Sequence, residues 1–157
     1  MVFRLKKGDL IDILAPGSFI DEEENFLKGI EILKNWGLEI NENNSLSKNF
    51  GYFAGDDQTR FEELEKAQNS KLIIFAKGGW GSARLLEKEP SWQHGLMLGF
   101  SDTCSLLLSK YSQGFIGSIH GPMVTSLFKE PEWSLERLRN LLFEGFVEDI
   151  RGIPLRG

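Results

Sequence analysis

The chain has 157 residues, a single cysteine and a formal charge of -5 at pH 7. One cysteine excludes an internal disulfide, two histidines are too few for a histidine-rich metal site, and the negative charge disfavours a general nucleic-acid binder. The composition, 41% hydrophobic and 26% charged, is that of a folded globular protein, and the length suits one domain. No apolar run reaches the ~18–20 residues that span a bilayer, and charge and glycine come too early for a secretory signal. We therefore expect a cytoplasmic protein.

Short apolar runs alternate along the chain with helix-like stretches. Apolar runs bounded by glycine or proline predict buried strands, and apolar residues three and four positions apart predict helices. In the first half the patterns predict a strand over 10–15, a helix from an Asp21 N-cap to Gly37, a strand over 38–40, a loop over 41–55 and a helix over 57–69. In the second half they predict strands over 72–76, 96–100 and 115–119, helices starting near Ser82, after Asp102 and at Ser134, and an extended tail.

This alternation is typical of an α/β fold, with helices flanking a mainly parallel sheet. In such sheets the functional site lies beyond the carboxyl ends of the strands. Three glycine-containing turns leave predicted strands at 15–18, 77–82 and 99–102. We expect the sheet to bring these turns together on one edge, although they are far apart in sequence.

The turn at 99–102, Gly-Phe-Ser-Asp, places Ser101 between a strand and a helix. A nucleophile elbow has this arrangement, because the sharp turn exposes the serine hydroxyl near the N–H groups of a helix N-terminus. The elbow pattern G-x-S-x-G is incomplete here, since Thr103 stands where the second glycine is expected. A helix N-cap with Asp102 favouring the helix dipole explains the same residues, and spacing alone favours this N-cap.

The glycine-rich turn at 78–81, Gly-Gly-Trp-Gly, is the second candidate. Glycines after a buried strand let the backbone approach a ligand, and free N–H groups can bind an anion or an oxyanion. A tight turn with Trp80 as a hydrophobic cap is an equally good interpretation. The turn matches neither a Walker A loop nor G-x-G-x-x-G.

Four further residues each allow a functional and a structural interpretation. Arg84 can bind a carboxylate bidentately, although such an arginine is more often solvated or paired with a nearby acid. His120 could act as a general base, but its position gives more support to a structural role in which it stabilises its own loop. His94 fits a surface loop, and Cys104 fits a small core residue better than a reactive thiol.

Four ordered segments together resemble the N-terminal half of the LD-carboxypeptidase family, which includes the microcin-immunity peptidases. They are GDLIDILAP at 8–16, GYFAGD at 51–56 with Arg60 and Leu64 following, FAKGGWGSARLL at 75–86, and GFSD at 99–102 followed by HGPM at 120–123. The resemblance implies a flavodoxin-like fold and the N-terminal half of a two-domain enzyme. Residues 1–146 would form the nucleophile domain, and 147–157 would begin the linker to a C-terminal domain.

The resemblance also implies an activity, that of a serine carboxypeptidase with a Ser-His-Glu triad. Ser101 falls on the family's nucleophile, and backbone N–H groups of Gly78, Gly79 and Asp102 fall on its oxyanion hole. The family releases terminal D-alanine from murein tetrapeptides by cleaving an L,D-peptide bond, in murein recycling in the bacterial cytoplasm. Microcin-immunity members instead cleave peptidyl or aminoacyl nucleotides. Trp80 and Arg84 are candidates for the substrate groove, and such a triad needs neither a metal nor an organic cofactor.

The sequence departs from the family pattern in ways that bear on activity. The family's Asp-Ile-Thr after the nucleophile is Asp-Thr-Cys at 102–104, and its Ala-Pro-Ser is Ala-Pro-Gly at 15–17. In the family the catalytic glutamate and histidine lie in a C-terminal domain, and neither His94 nor His120 takes the histidine's place.

A serine without a general base is a weak nucleophile, so we expect the chain alone to be inactive or nearly so. We also expect the surface that the absent domain would cover to promote a homodimer. The alternatives are a non-catalytic module that binds a peptide carboxylate, or a truncated relic.

Overall fold

Five short apolar runs form one parallel sheet in the computed structural model, which describes residues 3–41, 46, 48–150 and 152. The strands are β1 (Leu10–Leu14), β2 (Glu39–Asn41), β3 (Leu72–Phe75), β4 (Leu96–Gly99) and β5 (Ser118–His120). Their order across the sheet is β2-β1-β3-β4-β5, and every neighbouring pair is parallel. This is the flavodoxin-like order, whose direction reverses between β1 and β3. The predicted fold class is confirmed.

Four α-helices and several 3₁₀ helices connect and cover the strands. The α-helices are α1 (Glu23–Asn35), α2 (Asp57–Lys66), α3 (Cys104–Ser112) and α4 (Glu132–Glu144). The 3₁₀ helices are Ala67–Asn69, Ser82–Lys88, Ser101–Thr103 and Val124–Lys129. In the described part of the chain, none of the helices combines the length and apolar character that a membrane span requires.

Three details differ from the sequence prediction. The N-cap position of α1 is Glu22 rather than Asp21, because the Asp21 carboxylate is paired with Lys77 just beyond β3. The last strand begins at Ser118, after a connecting turn in which the Ile116 N–H donates to Nδ1 of His94 at 3.2 Å. The 3₁₀ helix Val124–Lys129 was not predicted. Residues 42–45 and 47 of the predicted loop lie outside the described residues.

The central strands β3 and β4 are apolar on both faces, and each face of the sheet has its own core. One core joins β1, β3 and β4 to α1 and α4 through Ile11, Ile13, Ile74, Leu98, Leu33, Leu138 and Leu142. The other joins the opposite faces of the strands to α2, α3 and the 3₁₀ helix after β3 through Leu14, Ile73, Phe75, Met97, Leu64, Leu85 and Leu106. A sheet covered on both sides leaves its strand ends as the places where polar chemistry can be built.

Helix α1 lies directly against the 3₁₀ helix that follows β5. A Cβ added at Gly29 would lie 2.0 Å from the carbonyl oxygen of Val124, so a side chain at position 29 would prevent this packing. The same 3₁₀ helix is bound to the end of β3, because the N–H and the Oγ1 of Thr125 both donate to the carbonyl of Ala76, at 3.1 and 3.0 Å. These contacts fix α1 relative to the carboxyl edge of the sheet.

Lys110 of α3 is buried, with 2% of its surface exposed. Its Nζ donates to the backbone carbonyl of Gly95 at 2.5 Å. Burial lowers the pKa of this amine to about 8 from an ordinary value of 10.5.

Replacing Lys110 with methionine is expected to remove a pH-dependent contribution to stability. The pKa of Lys110 is lower in the folded state, so the cost of burying its charge is complete below pH 8 and disappears as pH rises toward 10.5. The stability advantage of Lys110→Met over the wild type should therefore shrink by about 2 to 3 kcal/mol between pH 7 and pH 10. Urea unfolding at the two pH values measures this, with Lys66→Met, on the exposed side of α2, as control. An advantage that does not change with pH would contradict the prediction.

Candidate active site

Three loops meet at the carboxyl edge of the sheet, beside the reversal point between β1 and β3. Both the N–H and the hydroxyl of Ser18, after β1, donate to the carbonyl of Gly78 after β3, at 3.2 and 2.9 Å. The N–H of Ser82 donates to a carboxylate oxygen of Asp102, after β4, at 2.9 Å. The three glycine-containing turns singled out in the sequence are therefore in direct contact.

Ser101 has the backbone conformation of a nucleophile elbow. The preceding residue, Phe100, is extended, whereas Ser101 has a φ of 61°, in the left-handed region that non-glycine residues rarely adopt. Ser101 is not an N-cap, because the N-cap position of the 3₁₀ turn is Phe100 and that of α3 is Thr103. Such a conformation costs on the order of 1 kcal/mol or more, and it is found where a side chain must be presented in a fixed direction.

The side chain of Ser101 points to the glycine-rich loop. A Cβ added at Gly78 would lie 3.3 Å from the Ser101 Oγ and 3.2 Å from its Cβ. In the described part of the chain, the N–H groups of Gly78 and Gly79 make no hydrogen bond. Gly78 therefore packs against the side chain of Ser101, and the free N–H groups of this loop are donors of the kind that an oxyanion hole uses.

Asp102 connects the turn at Ser101 to the loop after β3 by hydrogen bonds. Its carboxylate accepts the N–H of Ser82, and its carbonyl accepts the hydroxyls of Ser82 and Ser105 at 2.7 and 2.9 Å. The carboxylate also lies beside the Gly17 backbone, where an added Cβ would be 2.9 Å from Oδ2. From the sequence we assigned only the N–H of Asp102 to the site, and the role of its carboxylate was missed.

Tyr52 and Trp80 border the glycine-rich loop. A Cβ at Gly79 would lie 2.6 Å from the hydroxyl oxygen of Tyr52, which is 46% exposed. Trp80 is 74% exposed, so its indole projects into solvent at the rim of the site. Tyr52 was not predicted as a site residue, because its position in a polar loop gives no signal of contact with residue 79.

Arg84 is paired with an acid, which is one of the two interpretations that the sequence left open. Its Nε and Nη2 donate to Oδ2 of Asp57 at 2.9 and 2.6 Å. This bond, together with the charge of Arg60, lowers the pKa of the Asp57 carboxyl, and the same bond raises the pKa of Arg84. Arg60 is itself buried behind the loops. After Tyr52, it is the second residue near the site that was not predicted from the sequence to be a site residue.

The two histidines lie at different edges of the sheet. His94 precedes β4, whereas Ser101 follows it, so a strand of roughly 13 Å separates them. His94 is exposed and accepts the N–H of Ile116, as expected of a surface loop. His120 ends β5 on the Ser101 edge, where its ring centroid lies 6.3 Å from that of Phe100. Among the described residues, neither histidine hydrogen-bonds to Ser101, and no three potential ligands cluster as a metal site would need.

Comparison with known proteins agrees with this geometry. Residues 11–121 match the family model described as the LD-carboxypeptidase N-terminal domain. A Synechocystis sp. protein, provisionally named a carboxypeptidase, is 38% identical in an alignment of 163 positions that covers 98% of this chain and 51% of that protein. The murein tetrapeptide carboxypeptidase of Pseudomonas aeruginosa is 29% identical over 148 residues, covering 83% and 46% of the two chains.

A solved structure shows the same fold. The structure of MccF, a microcin C7 self-immunity protein, in complex with glutamyl sulfamoyl guanosine superposes with a TM-score of 0.77 at 21% identity. The match covers 91% of this chain and 47% of that one. This likeness shows that the two chains share a fold.

The chain belongs to the LD-carboxypeptidase family and corresponds to its N-terminal domain. It spans about half the length of the curated relatives that it matches.

Glycine at position 101 is expected to stabilise the fold relative to alanine. Ser101→Ala keeps the cost of the left-handed conformation, whereas Ser101→Gly relieves it, because glycine adopts a φ of 61° without a Cβ clash. Ser101→Gly should be more stable than Ser101→Ala by about 1 kcal/mol in urea unfolding. Equal stabilities, or a more stable alanine variant, would show that Ser101 is not strained.

Proposed function

We propose that this chain is the nucleophile domain of a serine carboxypeptidase that hydrolyses the L,D-peptide bond of murein tetrapeptides and releases terminal D-alanine. The observation that carries the proposal is Ser101, held at a positive φ after β4 with its side chain packed against Gly78 of the glycine-rich loop. Family membership supports the reaction class, and the name of the Pseudomonas aeruginosa relative supports the substrate.

In the proposed reaction, Oγ of Ser101 attacks the carbonyl carbon that precedes D-alanine, and a general base takes the hydroxyl proton. The carbonyl oxygen becomes an oxyanion, which accepts hydrogen bonds from the N–H of Asp102 and from the Gly78–Gly79 turn. The C–N bond then breaks, and the base returns its proton to the departing amine. Water hydrolyses the remaining ester and regenerates the Ser101 hydroxyl.

The general base is proposed to come from the rest of the protein. This chain covers about half of its relatives, so a C-terminal domain beyond the 147–157 linker is the proposed source of the histidine and the glutamate. The carboxyl edge of the sheet presents Ser101 to such a partner, because the residue is exposed there. Losing the base typically removes most of the rate of a serine hydrolase.

The substrate is proposed to lie across the glycine-rich loop, between the walls formed by Tyr52 and Trp80. Arg84 is proposed to line the outer end of this groove, since more than half of its side chain remains exposed while it is bound to Asp57. Such a groove suits a peptide whose terminal carboxylate must be oriented as well as its scissile carbonyl.

Transfer of the missing half from the Synechocystis relative is expected to create an active enzyme. A fusion of this chain to the remaining half of that protein should release D-alanine from a tetrapeptide, and Ser101→Ala in the fusion should lower kcat by about 10⁴-fold or more. The 157-residue chain alone should show almost no release. Release of D-alanine by the folded fusion that persists in Ser101→Ala would contradict the assigned nucleophile.

The same assay separates the alternatives. Preferential hydrolysis of an aminoacyl sulfamoyl nucleotide would identify the microcin-immunity reaction. Binding of the tetrapeptide without turnover by a well-folded fusion would indicate a peptide-binding module.

We also propose that the protein forms a homodimer and, from its proposed role in murein recycling, that it acts in the bacterial cytoplasm. The support for a dimer is a set of exposed apolar side chains along α4 and the segment that follows it, where Trp133, Phe146 and Ile150 are 62%, 65% and 68% exposed. Apolar surfaces of this kind favour association.

Sedimentation velocity over a range of concentrations is expected to show a dimer, and Trp133→Arg is expected to be a monomer. The charged side chain would have to be buried in the apolar contact, which disfavours association. Trp80→Arg, which changes an equally exposed tryptophan at the rim of the site, is the matched control and should remain a dimer. A wild type that stays monomeric at every concentration would exclude the dimer.

A further inference from the structure

Arg60 of α2 is the largest fully buried side chain of the described residues, with 2% of its surface exposed. Burying a guanidinium costs several kcal/mol unless its donors find well-placed acceptors. Burial also lowers the pKa of Arg60. A charge retained in such a place needs a structural or functional reason, and its partners indicate which.

The guanidinium binds two of the three loops of the site. Its Nη1 donates to the carbonyl of Pro16, after β1, and to the carbonyl of Gly81, after β3, the latter at 3.2 Å. The carbonyl of Pro16 belongs to the peptide bond with Gly17, and the carbonyl of Gly81 belongs to the peptide bond with Ser82. Gly17 and Ser82 both lie beside the Asp102 carboxylate. Arg60 and Asp102 thus lie on opposite sides of the same two stretches of backbone.

The Gly81–Ser82 peptide group connects the two charges directly. Its carbonyl oxygen accepts from Arg60, and its N–H donates to Asp102 at 2.9 Å. Hydrogen bonds at the two ends of one peptide group polarise it and strengthen each other. Asp102 directly follows the nucleophile Ser101, so the chain of contacts ends at the elbow.

The charge of Arg60 is balanced within the same cluster. Its Nη2 pairs with Asp57, which Arg84 holds from the other side. The ring of Phe53 lies against both guanidinium groups, with its centroid 4.7 Å from Cζ of Arg60 and 5.7 Å from Cζ of Arg84. A planar guanidinium can make all of these contacts at once, whereas a lysine ammonium cannot.

We propose that Arg60 is a positioning residue of the active site, which sets the elbow and the oxyanion-hole loop through the Gly81–Ser82 peptide and Asp102. The inference rests on the proposed function for what the loop does, but the position of the loop can be measured without catalysis. Arg60 acts through other groups and does not touch the reacting atoms in this assignment.

Amide hydrogen exchange and proton chemical shifts of the chain test the proposal in Arg60→Lys. The chemical shift of the Ser82 amide proton is expected to move upfield, and this proton is expected to exchange about tenfold faster than in the wild type. The amide of Ile74 in the core should exchange only at the rate set by global unfolding of the variant. Arg139→Lys is the matched control, because Arg139 stacks on Phe143 at 5.3 Å on the exposed side of α4. A Ser82 amide that behaves alike in the folded Arg60 and Arg139 variants would overturn the proposal.

Two further measurements keep the test decisive. If Arg60→Lys does not fold, Asp57→Asn removes the paired charge without removing Arg60, and about threefold faster exchange at Ser82 is expected; no change there would overturn the proposal. In the active fusion, Arg60→Lys should lower kcat about 10²-fold with KM within about twofold, as expected for misplaced catalytic groups. A fusion without activity would count against the proposed function, whereas the exchange result on the chain alone would still decide the role of Arg60.

Discussion

The hydrogen bond from the Ser82 N–H to the Asp102 carboxylate is the contact on which the site depends. It joins the loop after β3 to the turn after β4, and it fixes the residue that directly follows Ser101. The turn is closed from within as well, because the Thr103 hydroxyl donates to the carbonyl of Phe100 at 2.8 Å. A strained backbone persists only where its surroundings over-determine it, and here both neighbours of Ser101 are held. The conformation of Ser101 is thus determined by the loops around it.

The parallel sheet explains why these loops can be polar. Both faces of the sheet are covered by apolar cores, so strand ends are the places where backbone groups remain available. The reversal of strand order falls between β1 and β3, which is the position at which sheets of this kind bind their ligands. The loops after these two strands are joined there through Ser18 and Gly78, and the glycine-rich loop has Ser18 on one side and Ser101 on the other. Topology places the site, and side-chain hydrogen bonds shape it.

The sequence was sufficient to predict the central strands and the edge of the sheet at which the three glycine-containing turns meet. Central parallel strands are buried on both faces, so they appear as unbroken apolar runs such as 72–75, and glycines mark where they end. Side-chain pairing was not predictable in the same way. Asp21 has the local pattern of an N-cap, but Lys77, distant in sequence, takes its carboxylate. Arg60 lies in a polar stretch of α2, and its burial follows from carbonyls on two other loops that no local pattern reveals.

The contact between Gly29 and Val124 makes the two sides of the candidate site unequal in stiffness. On one side, α1, the 3₁₀ helix Val124–Lys129 and the end of β3 are in backbone contact, so they form a stiff unit. On the other side, the segment around Tyr52 is joined to residues 17–19 by single backbone hydrogen bonds. Single hydrogen bonds at a surface open more readily than two backbone segments separate when they are packed too closely to leave space for a methyl group. The candidate site therefore yields on one side only: a bulky ligand would be accommodated by movement of the segment around Tyr52, while the backbone around Val124 and Ala76 keeps its shape.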